Sequence, residues 1–149
     1  PYLPLEVGTK KYADNLSIEC TKVEKLLEDQ VVERELIVKF PGMKRRRVTH
    51  VHYIGWPENG IPRSTEPLVH MYKMVELSRY PVFINCNDGI SKCGAFTQAI
   101  IHMQMLEEYD GQLAFGTSLN QLRHYRQMAV SSEQDYMFVA LLTFKLVIQ

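Results

Sequence analysis

The stretch that decides the fold is Val82-Phe83-Ile84-Asn85-Cys86-Asn87-Asp88-Gly89-Ile90-Ser91-Lys92-Cys93-Gly94-Ala95-Phe96. It begins as a short apolar run, passes through a loop punctuated by glycine, and continues into a segment with helical apolar spacing. Strand, loop and helix in this order aim backbone N–H groups and a helix N-terminus at one point, an arrangement that binds phosphate and other anions. A cysteine at the start of such a loop has its thiolate favoured and can act as a nucleophile. A buried thiol before an ordinary loop explains the same residues equally well.

A second informative segment lies thirty residues upstream and runs Val51-His52-Tyr53-Ile54-Gly55-Trp56-Pro57-Glu58-Asn59-Gly60-Ile61-Pro62. Together the two segments resemble the classical protein tyrosine phosphatases, which carry a cysteine loop of the form H-C-x-x-G-x-x-R-[S/T]-G and, at similar spacing before it, a mobile W-P-D loop. The resemblance implies an α/β fold of the tyrosine phosphatase type, a twisted mixed sheet flanked by helices. Domains of that family are nearly twice as long as this chain, so we expect residues 1–149 to form part of such a domain, without its N-terminal part.

The resemblance also implies roles for individual residues. Cys86 takes the place of the nucleophile, and Lys92 that of the arginine that grips phosphate. Glu58 takes the place of the general acid, and Cys93 that of the hydroxyl that supports the cysteine sulfur. Ser131 aligns with the glutamine that orients the hydrolytic water, although Gln134 reaches that register with a one-residue gap. The implied sites are catalytic, Cys86, Lys92, Glu58, Cys93 and Ser131; phosphate-binding, Asn87, Asp88, Gly89, Ile90, Ser91, Lys92 and Cys93; and mobile loop, Trp56, Pro57 and Glu58.

The departures from the family pattern predict impaired catalysis. Lys92 lacks the planar fork of arginine, and losing such a transition-state contact typically costs on the order of a hundred- to a thousand-fold in rate. Glu58 is one methylene longer than aspartate, and a reach error of about an ångström costs roughly a hundred-fold. Cys93 is a weak donor, and Asp88 opposes a phosphate dianion. We therefore predict a pseudophosphatase, with very low or absent activity, that acts in signalling by binding phosphotyrosine or a partner protein.

Two alternatives remain open. The first is a slow, active tyrosine phosphatase that uses Cys86 as its nucleophile. The second is a redox or protein-interaction module that does not use phosphate. In the family fold the side chain at position 93 points at the sulfur at position 86, so two thiols placed there could approach disulfide geometry.

Composition narrows the partners and the compartment. The net charge of zero suggests neither nucleic acid nor an acidic membrane, and the basic run Lys44-Arg45-Arg46-Arg47 is interpreted as a solvated turn of a hairpin. Five histidines show no zinc-binding spacing, so no metal and no cofactor is expected. The resemblance to tyrosine phosphatases implies that the partner is a phosphotyrosine-containing protein or peptide, or a signalling protein. Three cysteines make no even disulfide framework, which fits a reducing compartment, and no apolar run is long enough to span a membrane. The expected location is therefore the cytoplasm, as a separate domain or as the intracellular part of a larger or receptor-type protein, without membrane insertion within this chain.

Apolar periodicity predicts the elements that carry these motifs. Alternation and turn residues predict strands over residues 15–25, 30–40 and 46–55, with the turn between the last two at Pro41-Gly42. A short buried strand is predicted over residues 82–85. Helical spacing predicts helices over residues 65–80, 95–109, 118–126 and 132–147, and Ser131 or Ser132 is the expected N-cap of the last helix.

Overall fold

The computed structural model describes residues 3–13, 15–112 and 114–149, and it divides into two units, Pro1–Trp56 and Pro57–Gln149. The first unit is an antiparallel sheet of four strands in sequential order, β1 (Lys10–Ala13), β2 (Leu16–Leu26), β3 (Val31–Lys39) and β4 (Arg46–Tyr53). The second unit contains four helices, α1 (Glu66–Glu76), α2 (Lys92–Glu108), α3 (Phe115–Tyr125) and α4 (Glu133–Val147). The predicted combination of sheet and helices is confirmed.

Turn chemistry sets the register of the sheet. Phe40 accepts the amide hydrogen of Met43 at 3.1 Å, and Gly42 between them has φ +75°, the left-handed conformation that a type II turn requires at its third residue. This turn joins β3 to β4 where Pro41-Gly42 was predicted. The basic run that follows it is exposed, as predicted, but only Lys44 and Arg45 lie in the connection, whereas Arg46 and Arg47 begin β4. Strand β1 was not predicted because Lys10–Ala13 is exposed along its whole length and carries no alternating apolar pattern.

The predicted strand over residues 82–85 is wrong. In the part of the chain that the structure describes, these residues join no strand ladder, and the sheet is antiparallel throughout. Val82 and Phe83 are 46% and 88% exposed, so the apolar run is not buried either. An apolar run becomes a buried strand only where neighbouring strands accept its backbone hydrogen bonds, and none of the described strands does so.

The helical unit is built around α2, which packs against α4 and α3. Its first helical hydrogen bond runs from Ala95 N to Ser91 O at 2.9 Å, so the helix begins at Lys92, three residues before the predicted start. Helix α4 begins as predicted, because the Ser132 hydroxyl accepts the amide hydrogen of Asp135 at 3.0 Å and so caps the helix. The buried apolar residues of this unit are Leu68, Val69, Tyr72, Ala95, Phe96, Ala99, Ile100, Leu122, Ala129, Val130, Phe138, Val139, Leu142 and Leu146.

A polar cluster lies inside this apolar core and joins three helices. His102 of α2 has its Nδ1 atom 2.8 Å from the hydroxyl of Thr143 on α4, and its Nε2 atom contacts the hydroxyl of Ser118 on α3. Gln98 donates to the same Ser118 hydroxyl at 3.2 Å. All four side chains are fully buried, and burial lowers the pKa of His102 to about 4, so the ring is neutral at neutral pH.

Candidate functional site

The cysteine loop is a tight structure that leads directly into α2. Gly89 within it has φ +71°, a left-handed conformation that favours glycine. Gly94, in the first turn of α2, lies against the segment before α4: a Cβ atom there would sit 2.9 Å from Val130 N and 3.4 Å from the Ala129 side chain. Glycine is therefore required at position 94 by a close backbone approach.

The carboxylate of Asp88 lies at the centre of the loop's hydrogen bonds. Its Oδ1 atom accepts the amide hydrogens of Ile90 at 2.9 Å and Ser91 at 3.1 Å, and its Oδ2 atom accepts the Ser91 hydroxyl at 2.6 Å. The Cys86 thiol also donates to Oδ1, at 3.1 Å. Partial burial acts to raise the pKa of Asp88, but these donors outweigh it and hold the pKa well below its usual range. The loop amides thus bind an anion, and that anion is a side chain of the chain itself.

The two predicted thiols meet at the base of the loop. The Cys86 and Cys93 sulfur atoms are 3.1 Å apart, and the Cys93 amide donates to the Cys86 sulfur at 3.4 Å. Both side chains are partly buried, and both are free thiols. Burial, the Cys86 thiol and the negative charge of Asp88 together raise the pKa of the Cys93 thiol well above its usual range. Cys93 is therefore a protonated thiol at neutral pH.

The segment between α3 and α4 holds Ser131 beside the loop. Ser91 and Ser131 have their hydroxyl oxygens 3.2 Å apart, and since Ser91 already donates to Asp88, the Ser131 hydroxyl is the donor of this pair. Val130 donates its amide hydrogen to Ile90 O at 3.0 Å and is held at φ +56°, an uncommon conformation for a β-branched residue. This left-handed turn directs the chain so that Ser131 faces the loop.

Two arginines that the sequence analysis did not single out fasten this segment. Arg123 donates to the carbonyls of Ala129 and Val130 at 3.0 and 2.9 Å, and Arg126 donates to Gly89 O at 3.1 Å. Arg126 thus clamps the loop from outside, and Arg123 supports the strained turn at Val130. A single sequence carries no signal that separates two such structural arginines from the other cations of a surface helix.

The remaining predicted site residues are only partly brought together. Lys92 is partly buried in the first turn of α2, and Asn87 is exposed in the loop. Glu58 is exposed, and within the described residues it makes no hydrogen bond to the loop. The segment that follows Glu58 approaches the start of α4, where a Cβ atom at Gly60 would lie 3.9 Å from the Gln134 side chain.

Trp56 ends the first unit, where its ring lies 6.1 Å from that of Tyr53. The glycine before it, Gly55, is tightly packed, since a Cβ atom there would meet the Tyr53 ring at 2.8 Å and the Gln30 side chain at 2.9 Å. The W-P-E segment therefore starts from a constrained point and continues as exposed chain at Pro57 and Glu58.

The described part of the chain contains neither a cluster of metal-binding side chains nor a helix that could span a membrane. No three histidine, cysteine, aspartate or glutamate side chains there are grouped so that they could hold a metal ion. None of the described helices combines the length and the apolar character needed to cross a bilayer.

Almost the whole chain matches one known protein family. The family model for protein-tyrosine phosphatases matches residues 1–145. The chain is 30% identical over 125 residues to the Rattus norvegicus protein named phosphatidylinositol phosphatase PTPRQ, a match that covers 78% of the chain and 5% of that protein. It is 32% identical over 117 residues to human receptor-type tyrosine-protein phosphatase R, covering 74% of the chain and 18% of that protein.

A solved structure gives the same picture of the fold. The crystal structure of the Trypanosoma cruzi protein tyrosine phosphatase TcPTP1 matches with a TM-score of 0.87 at 24% identity, covering 99% of this chain and 54% of that one. The chain thus spans about half the length of the solved protein, and 5% and 18% of the two curated relatives.

Proposed function

Because the chain belongs to the protein-tyrosine phosphatase family, we propose that it is a catalytically impaired member that acts by binding a protein partner rather than by hydrolysing phosphotyrosine. The observation that carries the proposal is the position of Asp88, whose carboxylate takes the amide and hydroxyl donors of the loop. Family members act on phosphotyrosine in proteins, and the class of partner proposed here is a phosphotyrosine-containing or other signalling protein.

Asp88 competes with phosphate in two ways. It uses the N–H groups of Ile90 and Ser91 and the Ser91 hydroxyl, so a phosphate would have to displace it to gain them. It also adds a negative charge beside the site, and two unit charges 4 Å apart repel by about 4 kcal/mol at an effective dielectric constant of 20. An energy of that size corresponds to roughly a thousand-fold in affinity.

The chemical groups that surround the sulfur support impairment as well. Cys93 is held as a thiol at the position where the family has a hydroxyl, and its high pKa makes it a poor source of support for a neighbouring thiolate. The Ser131 hydroxyl is directed at Ser91, so it is engaged in the same hydrogen-bonded chain that ends at Asp88. Lys92 supplies charge without the bidentate fork of arginine.

A turnover assay tests the catalytic half of the proposal. Wild type, Cys86→Ser and Asp88→Ala are compared on a phosphotyrosine peptide, with an active family member as the reference. We expect the wild-type rate to equal that of Cys86→Ser. Under the proposal Cys86 does not act as a nucleophile, so replacing its thiol does not change the rate. A wild-type rate that depends on Cys86 and lies within about tenfold of the active relative exceeds what these losses permit and would refute the proposal.

A binding titration tests the role of Asp88. A phosphotyrosine peptide and its unphosphorylated form are titrated against wild type, Asp88→Ala and Asp29→Asn. The last variant is a matched control, because it removes one exposed carboxylate charge in the other unit of the chain. We expect Asp88→Ala to bind the phosphopeptide at least tenfold more tightly than wild type, and Asp29→Asn to behave as wild type. Equal affinities for wild type and Asp88→Ala would show that the carboxylate does not compete with phosphate for the loop.

One observation favours a second candidate function, a slow phosphatase. The Cys93 amide hydrogen points at the Cys86 sulfur at 3.4 Å, a contact that supports a thiolate. In that case the wild type retains a small rate that Cys86→Ser abolishes, and Asp88→Ala increases it. The same turnover assay therefore separates the two candidates.

A further inference from the structure

We propose that the first unit of the chain carries a binding site for a carboxylate, formed by Arg34 of β3 and by His50 and His52 of β4. The observation that carries the proposal is a pair of buried polar atoms, Nη1 of Arg34 and Nδ1 of His50, that have no hydrogen-bond partner among the residues that the structure describes. None of the three residues belongs to the cysteine loop, so the inference goes beyond the proposed function and does not depend on it.

Strand pairing places the three side chains together on one face of the sheet. Arg34 and His50 lie directly opposite each other in the antiparallel ladder of β3 and β4, and such a pair has its Cβ atoms about 5 Å apart. His52 lies two residues further along β4 and so faces the same side, with its ring centroid 6.0 Å from that of His50. His52 is the exposed member of the group, so a ligand approaches the site from solvent beside its ring.

The guanidinium of Arg34 is a buried charge without a counter-charge. The residue is only 8% exposed, and a guanidinium stays charged in proteins. Its Nε atom donates to Leu5 O at 3.2 Å, a neutral acceptor, and none of the ion pairs within the described ranges includes Arg34. Burial of an unpaired charge is strongly unfavourable, and buried charges in native proteins are therefore paired.

The carboxylates next to Arg34 in the sequence face the other side of the sheet. Glu33 and Glu35 flank it in β3, and alternation along a strand directs their side chains to the opposite face. On that face Glu35 contacts Arg47 at 3.0 Å and accepts the Thr21 hydroxyl at 2.8 Å. The anion that balances Arg34 is therefore supplied by a ligand.

The charges of the site select a monoanion. Burial, followed by the charge of Arg34, lowers the pKa values of His50 and His52, so both rings are neutral at neutral pH. One carboxylate then balances the single positive charge, whereas a phosphate dianion would leave one negative charge unpaired in a buried site. A carboxylate also matches the planar guanidinium, and it can accept the Nδ1–H of a neutral His50 ring.

The test is a titration of the native protein with sodium acetate at neutral pH, followed by the ring signals of isotope-labelled histidines in NMR spectra. Acetate replaces chloride at constant ionic strength, so that charge screening does not change. We expect the signals of His50 and His52 to shift and to reach saturation. The signals of His124, an exposed histidine of α3 in the other unit, should not move.

Two further probes identify the chemical class and the source of the ligand. Inorganic phosphate should bind about tenfold more weakly than acetate, because it brings a second negative charge. N-acetylglutamate amide, whose only charge is its side-chain carboxylate, should also saturate the His50 and His52 signals. Tighter binding of this probe than of acetate would identify a protein side chain as the source of the carboxylate, and weaker binding would identify a small free carboxylate.

Variants test the role of the guanidinium. Arg34→Met should weaken acetate binding about tenfold or more, with His50 and His52 still present as reporters. Arg47→Met is the matched control, because it removes an exposed arginine from the other face of the same sheet, and it should bind acetate as wild type does. The wild-type titration needs no substitution, so it decides the question even if Arg34→Met does not fold.

The proposal is overturned by any of three results. The first is that the His50 and His52 signals of wild type do not shift with acetate or shift without saturating. The second is that phosphate binds at least as tightly as acetate. The third is that a folded Arg34→Met protein binds acetate as tightly as Arg47→Met does.

Discussion

Lowering the pH should destabilise the helical unit through one buried histidine. The pKa of His102 is lowered by burial from 6.5 to about 4, so the ring is neutral in the folded protein and takes up a proton far more readily when unfolded. The stabilising contribution is therefore complete above about pH 6.5 and is lost as the pH falls toward 4. At pH 5 the loss relative to pH 8 is about 2 kcal/mol, and below pH 4 it reaches about 3 kcal/mol.

The contacts of His102 explain why the neutral ring is tolerated. Thr143 donates to the carbonyl of Val139 at 2.8 Å and so accepts from Nδ1–H of the ring. The Ser118 hydroxyl lies 2.8 Å from the carbonyl of Phe115 and also contacts Nε2, so it can turn to donate to the bare nitrogen. The Nδ1–H tautomer therefore satisfies both ring nitrogens without a charge.

The assay is guanidinium unfolding at pH 8 and pH 5, followed by the helical circular dichroism signal, because the described helices all lie in the second unit. His102→Leu should lose about 2 kcal/mol less than wild type between the two pH values, since Leu does not titrate. His124→Gln, which changes an exposed histidine of α3, should keep the wild-type dependence. Burial also lowers the pKa values of His50 and His52 in β4. Both residues are present in all three proteins, so they add the same amount to the pH dependence of the free energy of unfolding in each.

The reasoning is refuted if wild type and His102→Leu lose the same free energy of unfolding between pH 8 and pH 5. That result would mean that the ring is charged in the folded core, held by two hydroxyl acceptors. The reasoning is supported if wild type and His124→Gln lose the same free energy of unfolding between these pH values and His102→Leu loses less.

Further predictions concern the loop and its supports. Gly94→Ala should lower the free energy of unfolding by about 1–3 kcal/mol, because its Cβ would press on Val130 N, whereas Gly116→Ala, which meets nothing within 4 Å, should raise it by up to about 1 kcal/mol; equal effects in urea unfolding would contradict the close approach. Ser132→Ala should cost about 1 kcal/mol by removing the cap on the Asp135 amide, and an unchanged unfolding midpoint would show that the cap does not stabilise α4.

Much of the fold could be predicted because its signals are local. The turn at Pro41-Gly42, the strand β2 and the cap at Ser132 each depend on a few adjacent residues, and each lies where the sequence indicated. The strand over residues 82–85 was wrong because an apolar run does not reveal whether another strand will pair with it. Strand β1 was missed for the opposite reason, since it is exposed along its length and pairs with β2 without an apolar pattern of its own.

The sequence predicted which residues belong to the candidate site, but not the hydrogen bonds between them. The sequence analysis named Asp88 as a charge that opposes phosphate, and Ser131 and Ser91 as separate residues of the site. That Asp88 accepts from the loop amides, and that Ser91 and Ser131 form a chain of hydroxyls toward it, depends on side-chain geometry that residue spacing does not determine. The roles of Arg123 and Arg126 could not be predicted from the sequence for the same reason.

The loop around Asp88 has a consequence for how the protein is recognised. A loop that carries its own anion is ordered without a ligand, so its occupied shape does not depend on the supply of phosphorylated protein. To a neighbouring molecule that distinguishes the filled from the empty state of such a loop, this chain presents the filled state constitutively. A loop that binds phosphate adopts its occupied shape only while the ligand is bound, whereas the Asp88 carboxylate occupies this loop without any ligand.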